Sequence, residues 1–510
     1  MAEVEKAQML DTHGKPFNRG AMVLLILIAT FAGMLMQTVL GTTLPALMKD
    51  YNITMATAQQ ATTWFLLANG VMVPVSAYLA TKFSTRKLYM VAFLALFIGI
   101  LISFSAPDPK PSTWWIFLAG RIIQASAVGI SMPLMQVVFV NIYTPKEMGK
   151  AMGMAGLVVG LAPAVGPTFA GWILNQNHVI LGLTLSNSWR TIFLLPLVVL
   201  GLALLASPFI LHDVLPNRNV KLDIISFVET ILGFGLFLLG FTNVASDGWG
   251  NLTTVIAPIV AGIVIIILFA YRQLHMEKPF LDLRVFKIKQ FTLTTIVTAL
   301  IMMAMMGVEM MLPLYMQEVH GLTALQSGLA LLPGALMMGI MSPISGMAYD
   351  KVGARRLALV GATILTIGTL PFMFLTAETS NIYITVLYAV RMFGVAMVFM
   401  PMTASAMNAL PRESAADGTA SNNTARQVAS AVVVALLSSV AQNIITNSEP
   451  AKHLKVTNPL QYADKMITAM LNGYHASFML GTVFALLALI IAMFLQGKHK
   501  PRDLAKEDVA

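Results

Sequence analysis

The chain has 510 residues, of which 57% are hydrophobic and 11% charged. A water-soluble chain holds about 25% charged residues, so the composition excludes a soluble globular protein and indicates a polytopic membrane protein. A net charge of +9 and the absence of cysteine add two exclusions: the basic residues are scattered in short clusters rather than pooled for nucleic acid, and there is no disulfide framework or thiolate metal site.

Residues 1–19 are polar and carry Lys6, Lys15 and Arg19. They read as a cytoplasmic tail, since the apolar run that follows is too long for a signal-peptide core and lacks a cleavage site. About 20 apolar residues cross a bilayer. That rule predicts fourteen spans, at 20–47, 58–81, 88–106, 113–138, 150–174, 188–211, 222–244, 252–273, 291–315, 324–349, 356–376, 381–408, 421–446 and 473–496. The one sizeable external loop, 447–472, has room for a short amphipathic helix; 497–510 is a second cytoplasmic tail.

Lysine and arginine bias sets the orientation. The even-numbered loops and both tails hold most of them, Arg412 and Arg426 included, whereas the odd loops hold Lys49, Lys110, Arg190, Lys452, Lys455 and Lys465. Both termini are therefore expected in the cytoplasm. Trp114, Trp115, Trp189 and Trp249 fall near span ends, as interfacial aromatics do.

The chain repeats internally. ALMKDYNITMATAQQ after Pro45 is echoed by LYMQEVHGLTALQSG after Pro313, AYLATKFSTRK at 77–87 by GMAYDKVGARR at 346–356, Arg121 by Arg391, and Pro133 by Pro401. Spans one to six thus recur as nine to fourteen, with seven and eight inserted. The predicted units are 20–211, 222–273 and 291–496. Repeated halves around a central site are a common transporter plan.

Span five is unusual for an apolar helix. Gly149, Gly153, Gly156, Gly160, Pro163, Pro167 and Gly171 follow one another in steps of three and four, with Gly166 beside them. That spacing places them on one helix face. Small faces let membrane helices approach closely, so a smooth, bent, tightly packed side is expected; a plain packing face of the GxxxG type would read the same way.

These features carry a resemblance. GLVVGLAPAVGPTFAG resembles the antiporter motif in span five of major facilitator exporters, with Gly156, Gly160, Pro163, Gly166, Pro167 and Gly171 as its residues. GMAYDKVGARR resembles the superfamily's GxxxDxxGxRR turn, which implies a charge-paired cytoplasmic gate at Gly346, Asp350, Gly353, Arg355 and Arg356. The first-half copy departs from it, with Ala77, Thr81 and Ser84 in place of Gly, Asp and Gly. LAGRIIQASAVGISMP, with Arg121 and Gln124, is similar to the span-four motif. Together with fourteen spans they resemble the drug:proton antiporter branch. This implies an all-α major facilitator fold, a monomer without cofactor, and amphiphilic small molecules and protons as partners. Two positions depart from that branch: Met36, with Gln37 beside it, stands where it often has an acid, and Asn69 where it often has Tyr.

Ionisable groups inside lipid are costly and mark function. Arg121 in span four reads as a fixed charge facing a cavity and lowering the proton affinity of a nearby acid, or as a structural arginine bonded to carbonyls. Gln124 lies on the same face at i+3, and Arg391 is the repeat's equivalent. Glu309, within IMMAMMGVEMMLP, is the best membrane acid, as proton carrier or cation site. Glu229 belongs to the inserted pair and reads as structural. Met302, Met303, Met305, Met306, Met310 and Met311 suit an adaptable apolar site, although methionine stripes also serve as plain packing. Gln37, Trp64 and Asn69 are weaker cavity candidates.

No GxxxxGK[ST], HExxH or GxSxG motif occurs, and the 8 histidines lie in tails, loops or span ends. Neither enzyme chemistry nor a metal site is expected. The expected function is proton-coupled export of amphiphilic compounds; the alternative is a dedicated exporter of one metabolite, peptide or lipid.

Overall fold

The computed structural model describes residues 10–53, 55–107, 109–180, 183–216, 223–277, 279–451 and 453–496. Among the described residues, fourteen helices are long and apolar enough to cross a membrane. In chain order they are Arg19–Thr38, Met55–Lys82, Thr85–Phe104, Trp114–Ile142, Met148–Asn175, Trp189–Ile210 and Ile224–Asp247, then Ala257–His275, Lys289–Glu318, Ala324–Val352, Ala354–Thr369, Asn381–Asn408, Ala415–Asn447 and Pro459–Ala492. They keep the names span one to span fourteen.

The neighbour pattern repeats. Span one packs on four, five and six; two packs on four; three packs on four and six. Spans nine, ten and eleven make the same contacts eight places on: nine with twelve, thirteen and fourteen, ten with twelve, and eleven with twelve and fourteen. Span five lies on ten and span two on thirteen, joining the halves. Span seven leans on two and thirteen, and span eight on seven. Span eight turns most of its surface outward, with Ile267 60% and Tyr271 66% exposed. Where it meets span seven, a Cβ on Gly262 would come within 2.5 Å of the Phe237 amide nitrogen. Asp223 anchors this pair by a bidentate bond with Arg272 at 3.0 and 3.1 Å.

Several element limits differ from those expected. Span fourteen starts at Pro459 rather than 473, so much of 447–472 is helix, including a single turn at Leu454–Thr457. Asn458 accepts from the Gln461 amide and Pro459 fills the first helical position, a strong start signal. The first turns are polar and project past the apolar zone, so hydropathy does not mark them. Span one continues after Val39 as Leu40–Tyr51. A two-stranded hairpin, β1 (His178–Ile180) with β2 (Leu183–Leu185), joins spans five and six; three-residue strands are too short for an alternation signal.

Trp114 and Trp189, at the starts of spans four and six, are packed within the protein and not turned outward. They are 4% and 1% exposed and pack around Tyr51 and Phe117, with the Trp189 indole donating to Asp50 at 2.8 Å. Arg426, grouped above with the basic loops, lies inside span thirteen and is 3% exposed.

Residues 10–18 fold back onto the face where span one begins. The Thr12 amide donates to the Asp213 carbonyl at 2.8 Å, and Asp11 lies 3.0 Å from His212 Nδ1. Hydrogen bonding from His212 holds the Asp11 carboxyl down at about 2.

Candidate functional site

Spans five and ten meet along their length, and the glycine stripe makes this possible. A Cβ on Gly346 would stand 1.9 Å from the Gly149 carbonyl oxygen, and one on Gly149 equally close to the Gly346 carbonyl. Further along, a Cβ would approach Pro343 Cα from Gly153 at 2.6 Å, Met400 from Gly156 at 2.3 Å and Met338 from Gly160 at 2.7 Å. Gly166 instead faces Thr38 of span one, and Gly171 faces Leu325 near the opposite end. The Pro163 side chain lies outside the described ones; Pro167 is partly buried in a helix unbroken from Met148 to Asn175.

The GxxxDxxGxRR turn works differently from a charge-paired latch. Asp350 accepts from the Gly149 amide at 3.0 Å, so a carboxylate at the end of span ten caps the start of span five, where free N–H groups and the helix dipole favour an anion. Arg355 and Arg356 are exposed. Gly353 has φ +88° and ψ 165° and ends the helix, in a region essentially reserved for glycine. The first-half turn needs no such residue, because Ser84 caps span three in extended backbone. Beside Asp350, Asn408 donates to Tyr349 Oη at 3.1 Å and to the Pro145 carbonyl at 3.4 Å. A second tie crosses deeper, where Asn423 of span thirteen donates to Gln136 of span four at 2.8 Å. The face where span one begins is therefore closed.

Arg121 is fully buried. It donates to Gln124 Oε1 at 2.7 Å and lies 4.2 Å over the Phe65 ring. Gln124 in turn donates to the Gly99 carbonyl at 2.8 Å and Ser103 Oγ at 2.9 Å. Arg121 thus holds span four to spans two and three. Its Nε and Nη2 keep no partner.

Arg391 is equally buried but bonds backbone, donating to the Ala304 and Met305 carbonyls at 2.6 and 3.1 Å and to Thr369 at 3.2 Å. Those carbonyls lie about one turn before Glu309 on the same helix. Glu309 is partly buried, and its Oε2 has no hydrogen-bond partner. No aspartate or glutamate among the described residues is hydrogen-bonded to Arg121, and the candidate acid Glu309 lies on the span whose carbonyls Arg391 holds. Met305 and Met311 are buried, whereas Met310 is 37% exposed. Gln37 is partly buried and Trp64 is 38% exposed, while Asn69 packs into the seam between spans two and four, against Gly129.

The residue missed by sequence reasoning is Arg426. Its signal, SNNTARQ at the head of an apolar run, reads equally as a polar loop. In the fold Arg426 lies 4.9 Å over the Phe399 ring, bonded to Asn423.

The family model that matches the chain is that of the Major Facilitator Superfamily, over residues 26–434. The chain belongs to the major facilitator superfamily. This major facilitator protein is 40% identical over 491 residues to the uncharacterized MFS-type transporter YcnB of Bacillus subtilis, covering 96% of this chain and 98% of that one. It is 36% identical over 475 residues to the lincomycin resistance protein LmrB of the same organism, covering 92% and 94%. Among solved structures, the proton:xylose symporter XylE matches with a TM-score of 0.60 at 14% identity, over 92% of this chain and 95% of that one, a likeness of fold alone. As a major facilitator transporter the protein is not an enzyme.

Proposed function

We propose that the protein is a proton-coupled exporter of amphiphilic compounds, working as a monomer, with the lysine- and arginine-rich face in the cytoplasm. Units 20–211 and 291–496 are the moving halves, and 222–273 is a lateral insert. The observation that carries this reading is Glu309, an acid deep in span nine with a free carboxylate oxygen, about one turn from the backbone carbonyls that the buried Arg391 holds. A carboxylate so placed can take up and release a proton as its surroundings open and close. The closed cytoplasmic face at Gly149, Gly346 and Asp350 suits the state that releases cargo outward. Protonation of Glu309 from outside would then favour return to the inward-open state.

Arg121 and Gln124 hold the first half rigid around that motion, and the methionines around Glu309 offer an adaptable apolar wall. The resistance named for LmrB favours a toxic amphiphile over a nutrient as cargo. The test is dye efflux in everted vesicles, with and without a collapsed proton gradient. Glu309→Gln and Arg121→Ala should each abolish proton-driven transport while the protein still inserts. Unchanged transport in both would reject the assignment, and protection against a single compound in a drug panel would favour the dedicated exporter.

A further inference from the structure

The two repeats bury three arginines more completely than any acid among the described residues. Arg121, Arg391 and Arg426 are 0, 0 and 3% exposed, and among the described residues no aspartate or glutamate is buried to that degree. Each keeps a nitrogen without a partner: Nε and Nη2 of Arg121, Nη1 of Arg391 and Nη1 of Arg426. Arg426 stands apart, because it lies on the seam between the halves.

Hydrogen-bond chemistry fixes the orientation of the groups around it. An arginine can only donate, so Asn423 accepts from Arg426 Nη2 through Oδ1. Its amide nitrogen must then donate, and it does so to Gln136 Oε1 and to the Thr419 carbonyl, both at 2.8 Å. Gln136 Nε2 is left as a donor. Gln136 is 0% exposed, and neither its Nε2 nor Arg426 Nη1 has a partner. Asn423 thus links two side chains from opposite halves, each with a buried, unanswered N–H. A buried guanidinium with no acid beside it is costly unless an anion completes it, and Arg426 has only Asn423 and the Phe399 ring as partners.

We infer that Arg426, Asn423 and Gln136 form an oxyanion-binding site between the halves, and that the amphiphiles carried are acids bearing a carboxylate, sulfonate or phosphate. The cargo part rests on the exporter reading; the site itself does not. Arg426 and Asn423 come from span thirteen and Gln136 from span four, so the site is complete only when the cytoplasmic face is closed. An anion bound there favours the closed state by its differential affinity, which couples loading from the cytoplasm to closure. The apolar body of the acid would lie against side chains such as Phe399.

The test is equilibrium binding to the full-length protein in nanodiscs, with no gradient, using tritiated taurocholate as the amphiphilic anion and tetraphenylphosphonium as the amphiphilic cation. Arg426→Gln should weaken taurocholate binding at least about tenfold, the scale of a charge-assisted hydrogen bond, and leave the cation within about twofold. Arg426→Lys should keep most of the affinity. Gln136→Glu should lose the anion although the arginine is intact, because the new carboxylate occupies the guanidinium. Taurocholate binding unchanged in both Arg426→Gln and Gln136→Glu would overturn the site, as would equal loss of both ligands in variants that elute like the parent. Nanodiscs with and without phosphatidylglycerol separate the sources of oxyanion. Competition by that lipid would assign the site to a headgroup phosphate and remove the cargo part; no competition supports an acid from solution. A protein that binds taurocholate through Arg426 yet transports nothing would keep the site and sink the exporter reading.

Discussion

Gly346→Ala tests the contact that closes the face where span one begins. The added methyl would meet the Gly149 carbonyl oxygen at 1.9 Å, where ordinary van der Waals contact begins at 3.4 Å. Both groups belong to helix backbone, so neither can rotate away, and spans five and ten must part by the difference, about 1.5 Å. That movement takes the 3.0 Å bond from the Gly149 amide to Asp350 beyond hydrogen-bonding range. A hydrogen bond to a charged group contributes about 1.5–3 kcal/mol, so the equilibrium should shift toward the state open at that face by roughly 10- to 150-fold. The chain has no cysteine, which gives a clean background for a single reporter. Ala420 is fully buried and packs with Val75, Ala77 and Tyr78 of span two. In everted vesicles, Ala420→Cys should react with an impermeant maleimide at least about tenfold faster when Gly346→Ala is present. An unchanged labelling rate in correctly inserted protein would refute the claim that this glycine contact governs closure.

Gly353→Ala should cost about 1–3 kcal/mol, since its φ of +88° and ψ of 165° admit essentially only glycine; thermal unfolding in detergent measures it, and Ser84→Ala in the first-half turn should cost less. Gln124→Ala removes the acceptor of the buried Arg121 and the ties to Gly99 and Ser103. It should destabilise the protein by about 3 kcal/mol or more, and the same unfolding assay checks it. Asp11→Asn should free the docked tail, read as faster tryptic cleavage at Lys15 in everted vesicles. The Asp11 carboxyl is held down at about 2 against an ordinary 3.8. Its contribution to docking is therefore complete above pH 4 and lost only as pH falls toward 2. Cleavage at Lys15 that is slow at pH 8 should accordingly stay slow at pH 5 as far as Asp11 governs it; faster cleavage at pH 5 in the parent but not in Asp11→Asn would contradict this.

Much of this protein was legible in its residues. Length and hydropathy decide the fourteen spans, because lipid requires the backbone to bond within each helix, and a helix must therefore announce itself locally. The repeat, the glycine stripe of span five and the polar outliers Arg121, Arg391 and Glu309 are likewise visible without coordinates. What the linear chain does not carry is which groups meet. Asp350 caps the start of span five instead of pairing with its own arginines, Glu309 lies on the span whose carbonyls Arg391 holds, and Trp114 and Trp189 are packed inside an aromatic cluster. Arg426 sits near the start of its expected span and is grouped with the basic loops, and becomes a buried cation on the seam because its face of span thirteen packs against spans four and twelve. Each of these depends on contacts between residues far apart in sequence, and composition and spacing hold no record of such distances.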